Sequence, residues 1–265
     1  MTKNLIEIQN ANLFLDSKQI LHDINWKVLS SEHWFIIGPN GSGKTTLTRM
    51  LLGYIWPIFG AKVSILGNTY GDCNIFAVRK KIAWISPFLQ NWTSTSKDYT
   101  VEEIIISGID STIGLFRAAE SFEINQALEI LDKIGGSHLK SKTFSHLSSG
   151  EQIIALMARA LIKKPELIIL DEVCAHLDLR NRELFLKIID NFARDKNSPV
   201  IIFVTQRIED ITGAFEKGLA LRNGRILVSG DKKDVLSEKN LKDIFDLDIN
   251  LIKTDSGRYW PIVGK

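Results

Sequence analysis

Eight consecutive residues, Gly38-Pro39-Asn40-Gly41-Ser42-Gly43-Lys44-Thr45, carry the densest chemistry in the chain. They match Gly-x4-Gly-Lys-Ser/Thr, a pattern in which glycines let the backbone fold closely around phosphate groups and turn several N–H groups inward. A helix beginning near Lys44 adds the positive end of its dipole. On this reading Lys44 sits against the β and γ phosphates of a nucleoside triphosphate, Thr45 offers its hydroxyl to Mg²⁺, and Thr46 completes the cradle. A second chemistry-bearing pair, Asp171-Glu172, ends the apolar run Leu167-Ile168-Ile169-Leu170. In a parallel sheet the strand ends meet at the carboxyl edge, which predicts Asp171 beside the phosphate loop, where it is suited to hold Mg²⁺ through water. Glu172 can then orient and deprotonate the water that attacks the γ-phosphate. Taken alone, an Asp-Glu pair at a strand end is equally well an exposed cap.

The elements that must position these groups read from hydrophobic period. Leu5 to Gln9 and Ile20 to Val28 alternate as strands, and Trp34-Phe35-Ile36-Ile37 is a buried-strand run directly before the glycines. Thr45 to Tyr54 then shows helical spacing. Val101 to Ser107, Phe122 to Ile134 and Glu151 to Ile162 are longer helical segments, so the stretch from about Asp98 to Lys163 reads as a helical insertion. Leu167 to Leu170 and Val200 to Val204 resume the buried-strand signature on either side of a helix over Arg180 to Arg194. The alternation predicts a mainly parallel sheet. The end of the chain holds one helical patch, Asp234 to Phe245, and a polar strand-like segment.

Composition narrows the class. The chain has 265 residues, 45% hydrophobic and 24% charged, with a formal charge of +2, which argues for a globular fold and against a polyanion-binding surface. No apolar stretch reaches the roughly 18 to 20 residues that span a bilayer, and Met1 to Leu5 lacks a signal-peptide run, so a soluble, cytosolic protein is expected. Cys73 and Cys174 stand far apart with no CxxC spacing, indicating neither disulfide nor zinc site.

Further residues complete a family pattern. Leu147-Ser148-Ser149-Gly150-Glu151 precedes a helix, Ala158-Arg159-Ala160-Leu161 and Pro165-Glu166 lead into the carboxylate strand, and Ala175-His176-Leu177-Asp178 follows it. With the phosphate loop, this ordered set resembles the ATP-binding cassette (ABC) ATPases over roughly residues 5 to 232. The resemblance implies an α/β, RecA-like P-loop NTPase core with a mainly parallel sheet, an N-terminal antiparallel β segment and an inserted α-helical subdomain. The core lobe would cover about 1–90 and 164–232, the helical lobe about 91–163, and a tail 233–265. It also implies a second nucleotide-binding subunit, a homodimer in the first instance, because each ATP lies between one chain's phosphate loop and the other's signature segment. Here that segment is Ser148, Ser149, Gly150 and Glu151. Transmembrane permease subunits are the implied partners, with no nucleic acid, and the chain is expected to be cytoplasmic and peripheral at the inner face of the cell membrane. A soluble ATP-dependent switch acting on a non-transport partner is the second reading.

Several positions depart from the family pattern. Ser149 replaces a glycine, so a left-handed backbone there would strain it. Val173 stands where proline is usual, and His176 where a small residue is usual; His176 reads as a surface or interface residue rather than a catalytic one. Leu15 aligns with the adenine-stacking aromatic, with Phe14 beside it, and either of the two could meet the base. Gln90, in Ser86-Pro87-Phe88-Leu89-Gln90, is the candidate for the glutamine that reaches Mg²⁺ and the attacking water. Gln206 replaces the usual histidine after Val200 to Thr205; an amide can donate to the γ-phosphate but cannot carry charge, so hydrolysis is expected to be slow. Glu32-His33-Trp34, Gly53-Tyr54-Ile55-Trp56-Pro57 and the Ser148-Ser149-Gly150-Glu151 form look like the molybdate-transport-related branch, and the aromatic stretch Trp84 to Trp92 with polar 93–98 lies where relatives meet membrane subunits.

Overall fold

A computed structural model describes residues 3–87, 89, 99–112 and 114–264. In chain order the elements are β1 (Asn4–Leu15), β2 (Lys18–Leu29), β3 (Trp34–Ile37), α1 (Lys44–Leu51), β4 (Lys62–Ile65), β5 (Asn68–Thr69), α2 (Ile75–Arg79) and β6 (Ile82–Ile85). There follow α3 (Val101–Asp110), α4 (Ser121–Lys133), α5 (Ser149–Leu161), β7 (Leu167–Asp171), α6 (Leu179–Ala193) and β8 (Val200–Thr205). The chain ends with β9 (Lys217–Arg222), β10 (Arg225–Asp231), α7 (Lys232–Val235), α8 (Glu238–Phe245), β11 (Ile249–Lys253) and β12 (Tyr259–Val263). They fall into two compact units, residues 1–79 with 200–265, and residues 80–199.

The first unit contains an antiparallel sheet in the order β2-β1-β4-β5 and a run of strands β10-β9-β3-β8. β3 is parallel to both neighbours, with Ile37 opposite Thr205 on one side and Ala220 on the other. Every residue of β3 and β8 is buried, which is why these strands are continuous apolar runs rather than alternating ones. β1 and β2 are longer than their alternating segments predict. Register slips where Asn10 and Asp23 adopt left-handed φ, and the Asn12 side chain accepts the Asp23 N–H at 2.9 Å to hold the bulge. The predicted helix over Asp234 to Phe245 is instead two, α7 and α8, because Ser237 starts a new helix by accepting the Asn240 N–H. β11 and β12 close the chain as a hairpin.

In the second unit β6 and β7 pair in parallel, Ile85 opposite Leu170, and β7 is buried throughout. Three of this unit's helices, α3, α5 and α6, begin on a side chain that supplies missing hydrogen-bond partners of the first turn. Thr100 and Glu103 form a reciprocal cap on α3, Ser148 and Glu151 one on α5, and Asp178 accepts the Asn181 N–H at α6. Among the described residues no helix is long and apolar enough to cross a membrane.

Candidate functional site

The first unit holds the glycine-rich loop. β3 delivers the chain to Gly38, where a Cβ would stand 2.2 Å from the Leu221 carbonyl oxygen, so close strand approach excludes any side chain. Ser42 donates its N–H to Pro39 O at 3.2 Å, closing the loop on itself. Gly43, at φ +103°, is the first residue of the helix entry, and α1 receives no side-chain cap and has no acidic residue in its first turn. The opposite end of α1 is tied down: Arg79 donates to Leu52 O and Gly53 O at 2.8 and 2.6 Å, and the Tyr70 hydroxyl donates to Leu51 O. Burial pushes the Tyr70 phenol well up. Tyr54 lies beneath the Arg79 guanidinium at 4.3 Å, and Trp56 packs on Tyr70 at 5.4 Å, so the Gly53 to Pro57 segment is structural here.

Lys44 is 4% exposed and spans the loop, its ammonium donating to Gly38 O at 2.9 Å and Pro39 O at 3.1 Å. A buried cation held by carbonyl dipoles, beside a helix N-terminus that begins on a glycine and carries no acidic residue in its first turn, forms an anion cradle that fits a phosphate chain. Thr45 is exposed at the mouth, Thr46 half-buried and Ser42 buried, while Asn40 and Gly41 lie on the outer rim. Gln206 directly follows β8, whose Thr205 pairs with Ile37; the register therefore brings half-buried Gln206 to the same edge as Gly38. Thr205 donates its hydroxyl to the buried Asp210 carboxylate at 3.1 Å and accepts the Arg207 N–H at 3.0 Å, which fixes the strand exit around Gln206. Phe14 is exposed and Leu15 half-buried. His33 accepts the Ile201 N–H on Nδ1 at 3.1 Å, and Glu32 accepts the Trp34 indole N–H at 3.1 Å, so both brace β3.

The second unit holds the carboxylates. β7 carries Asp171, 3% exposed, to its carboxyl end, in register with Ser86 after β6. Glu172 follows with φ +52°. A left-handed backbone on a non-glycine residue costs about 1 kcal/mol and recurs where a side chain must be aimed. Val173 and Cys174 are buried at 3% and 2%, and His176 is exposed. Gln90, Trp92 and residues 93–98 lie outside the described residues; Trp84 is half-buried on β6.

At α5, Ser148 accepts the Glu151 N–H at 3.3 Å and donates its own backbone N–H to the Glu151 carboxylate at 2.9 Å. That N–H, with Lys142 at 3.1 Å, holds the Glu151 carboxyl below the usual carboxylate range. The strain expected of Ser149 does not arise: it occupies the first turn of the helix and is absent from the residues with positive φ. Gly150 is required for a different reason, since a Cβ there would lie 2.5 Å from Cγ of Asn181. Asn181 in turn donates to the Asp178 carboxylate at 2.6 Å, so the signature segment and the loop after β7 are packed as one piece. Sequence reasoning missed Asn181, and also the Asn223-Gly224 turn, whose Gly224 N–H reaches Ser42 O at 3.0 Å. An Asn-Gly pair between apolar runs signals a hairpin, but not what the hairpin touches.

The ABC transporter family model matches residues 21–175. The chain is 35% identical to the uncharacterized ABC transporter ATP-binding protein YlmA of Bacillus subtilis, over 94% of this chain and 93% of that protein. It is 27% identical to the molybdate import ATP-binding protein MolC of Haemophilus influenzae, over 91% and 88% of the two chains. An ATP-binding cassette of an ABC transporter, solved in its ADP conformation, superposes with a TM-score of 0.77 over 92% of this chain and 99% of that one at 20% identity, a likeness of fold. With the family model spanning more than half of the chain and YlmA nearly all of it, the chain belongs to the ABC transporter family, as an ATP-binding subunit with that family's ATPase activity.

Proposed function

We propose that the chain binds Mg·ATP on Gly38, Pro39, Asn40, Gly41, Ser42, Gly43, Lys44, Thr45 and Thr46, pairs with a second nucleotide-binding subunit, and drives a membrane permease from its cytoplasmic face. The observation that carries this reading is the buried Lys44 ammonium at the uncapped start of α1. Lys44 exchanges its hold on Gly38 O and Pro39 O for phosphate oxygens, and the backbone donors of the loop orient the chain of phosphates. Thr45, Asp171 and Gln90 are the residues that would hold Mg²⁺, which when bound neutralises charge on the phosphates during transfer. Glu172 positions the attacking water and takes its proton. Gln206 donates an amide hydrogen to a γ-phosphate oxygen; lacking the charge of a histidine, it makes a slow ATPase. Ser148, Ser149, Gly150 and Glu151 of a second copy close the nucleotide from the other side, with the remaining donors of the α5 N-terminus. The core and helical lobes assigned above, with a tail from 233, are the working parts of this subunit.

Light scattering of Glu172→Gln with and without Mg·ATP tests the assembly step. A dimer that forms only with nucleotide is expected, because the variant binds ATP and does not turn it over. A monomer at saturating ATP, alone and with its permease, would overturn the composite site.

A further inference from the structure

The Asn223-Gly224 turn between β9 and β10 touches the phosphate loop from outside, and none of the roles above uses it. Gly224 donates its N–H to Ser42 O at 3.0 Å, while its own carbonyl accepts the His22 N–H of β2 at 2.8 Å. One residue thus bridges β2 and the last bend of the loop. Asn223 and Gly224 have φ of +50° and +73°, the consecutive left-handed pair of a tight hairpin turn. A Cβ on Gly224 would lie 2.0 Å from Ile20 O and 2.9 Å from His22 Cδ2, so no other residue fits without a shift of backbone. The same hairpin crowds the loop's other end, since Leu221 O faces Gly38.

The consequence follows from peptide geometry. A trans peptide is planar, with its C=O and N–H pointing in opposite directions. Because Gly224 holds the Ser42 carbonyl, the Gly43 N–H of the same peptide points away from the turn. α1 has no side-chain cap to set its entry. We infer that Gly224 is a positioning residue for nucleotide binding: by holding the Ser42 carbonyl it aims the Gly43 N–H, and the start of α1 behind it, at the phosphates. This rests on the reading of Gly38–Thr45 as the nucleotide loop.

The test is binding of a fluorescent ATP analogue with Mg²⁺ to wild type, Gly224→Ala and Gly71→Ala, well below their melting temperatures. Gly71 has φ +96° and nothing within 4 Å of its Cβ position, so Gly71→Ala carries comparable backbone strain in the same unit without pushing on the loop. Gly224→Ala is expected to raise the dissociation constant about tenfold, the size of losing one hydrogen bond to a charged group, with a smaller effect on kcat at saturating ATP. Gly71→Ala should bind as wild type. Equal, wild-type-like binding by both variants would overturn the inference, whereas wild type that fails to bind would overturn the nucleotide-loop reading instead. Should Gly224→Ala not fold, the Asn223 pair decides. Asn223→Ala, which tolerates left-handed φ less well, should weaken binding, and Asn223→Gly should restore it; no change in either overturns the inference.

Discussion

Two helix N-termini carry the proposed nucleotide contacts, and they are built in opposite ways. α1 begins on a glycine, with no side-chain cap and no carboxylate in its first turn. α5 begins on Ser148 with Glu151 returning to the Ser148 N–H, so two of its donors and part of its dipole are already satisfied from within. Electrostatics separates them further: Lys44 is a buried cation across the first, Glu151 a carboxylate at the second. Equal placement on helix ends thus leaves unequal electrostatic attraction for an anion. In the proposed function the first end is therefore the primary binding element, and the second, which already carries a carboxylate, adds its contacts when a second copy meets it.

The largest effect expected is at the open end. Lys44→Ala should weaken Mg·ATP binding by about 100-fold or more in equilibrium titration of a fluorescent analogue, because it leaves the cradle without its buried charge. Binding within about threefold of wild type would break the asymmetry between the two helix ends. Next in size, Glu172→Gln should lower steady-state phosphate release by about 10² to 10⁴ at unchanged ATP affinity, the range for losing a general base. Gln206→His should raise kcat by about 5- to 150-fold, a transition-state gain of about 1 to 3 kcal/mol, with the dissociation constant for ATP nearly unaltered. An unchanged or lower kcat would show that the amide is no handicap.

At the self-capped end the effects are smaller. Ser148→Ala should cost about 1 kcal/mol of stability in denaturant unfolding, the usual loss of a helix cap, and leave ATP binding to the isolated subunit intact. A fall in affinity equal to that of Lys44→Ala would make the two ends equivalent. The smallest effect is on pH dependence. The Glu151 carboxyl is held below its ordinary value of 4.5, chiefly by the Ser148 N–H and then by Lys142. Its contribution is therefore present above about pH 4.5 and fades as pH falls through the lower folded value. The acid limb of thermal unfolding should be slightly shallower in Glu151→Gln than in wild type.

Much of this was legible in the chain itself. The phosphate loop is contiguous, so glycine spacing, lysine and hydroxyl all appear in one reading frame, and the buried strands β3, β7 and β8 announce themselves as apolar runs. The α5 cap is equally local, since Ser148 and Glu151 act across one turn. Contacts at a distance were not legible in this way. Whether Ser149 would be strained turned on its φ, which is helical, and the indispensable glycine is Gly150, for Asn181.

The sequence by itself determined which residues could carry phosphate and proton chemistry, since those demands are local: a donor-rich bend, a cation, a carboxylate at a strand end. Only the tertiary structure decided how they are held. It brought Gln206 to the edge beside Gly38 through strand register, turned Glu172 into a left-handed conformation, and set Gly224 against Ser42 from nearly two hundred residues away. Such contacts depend on which strands lie side by side and how closely their backbones approach, and no local pattern of side chains encodes that distance.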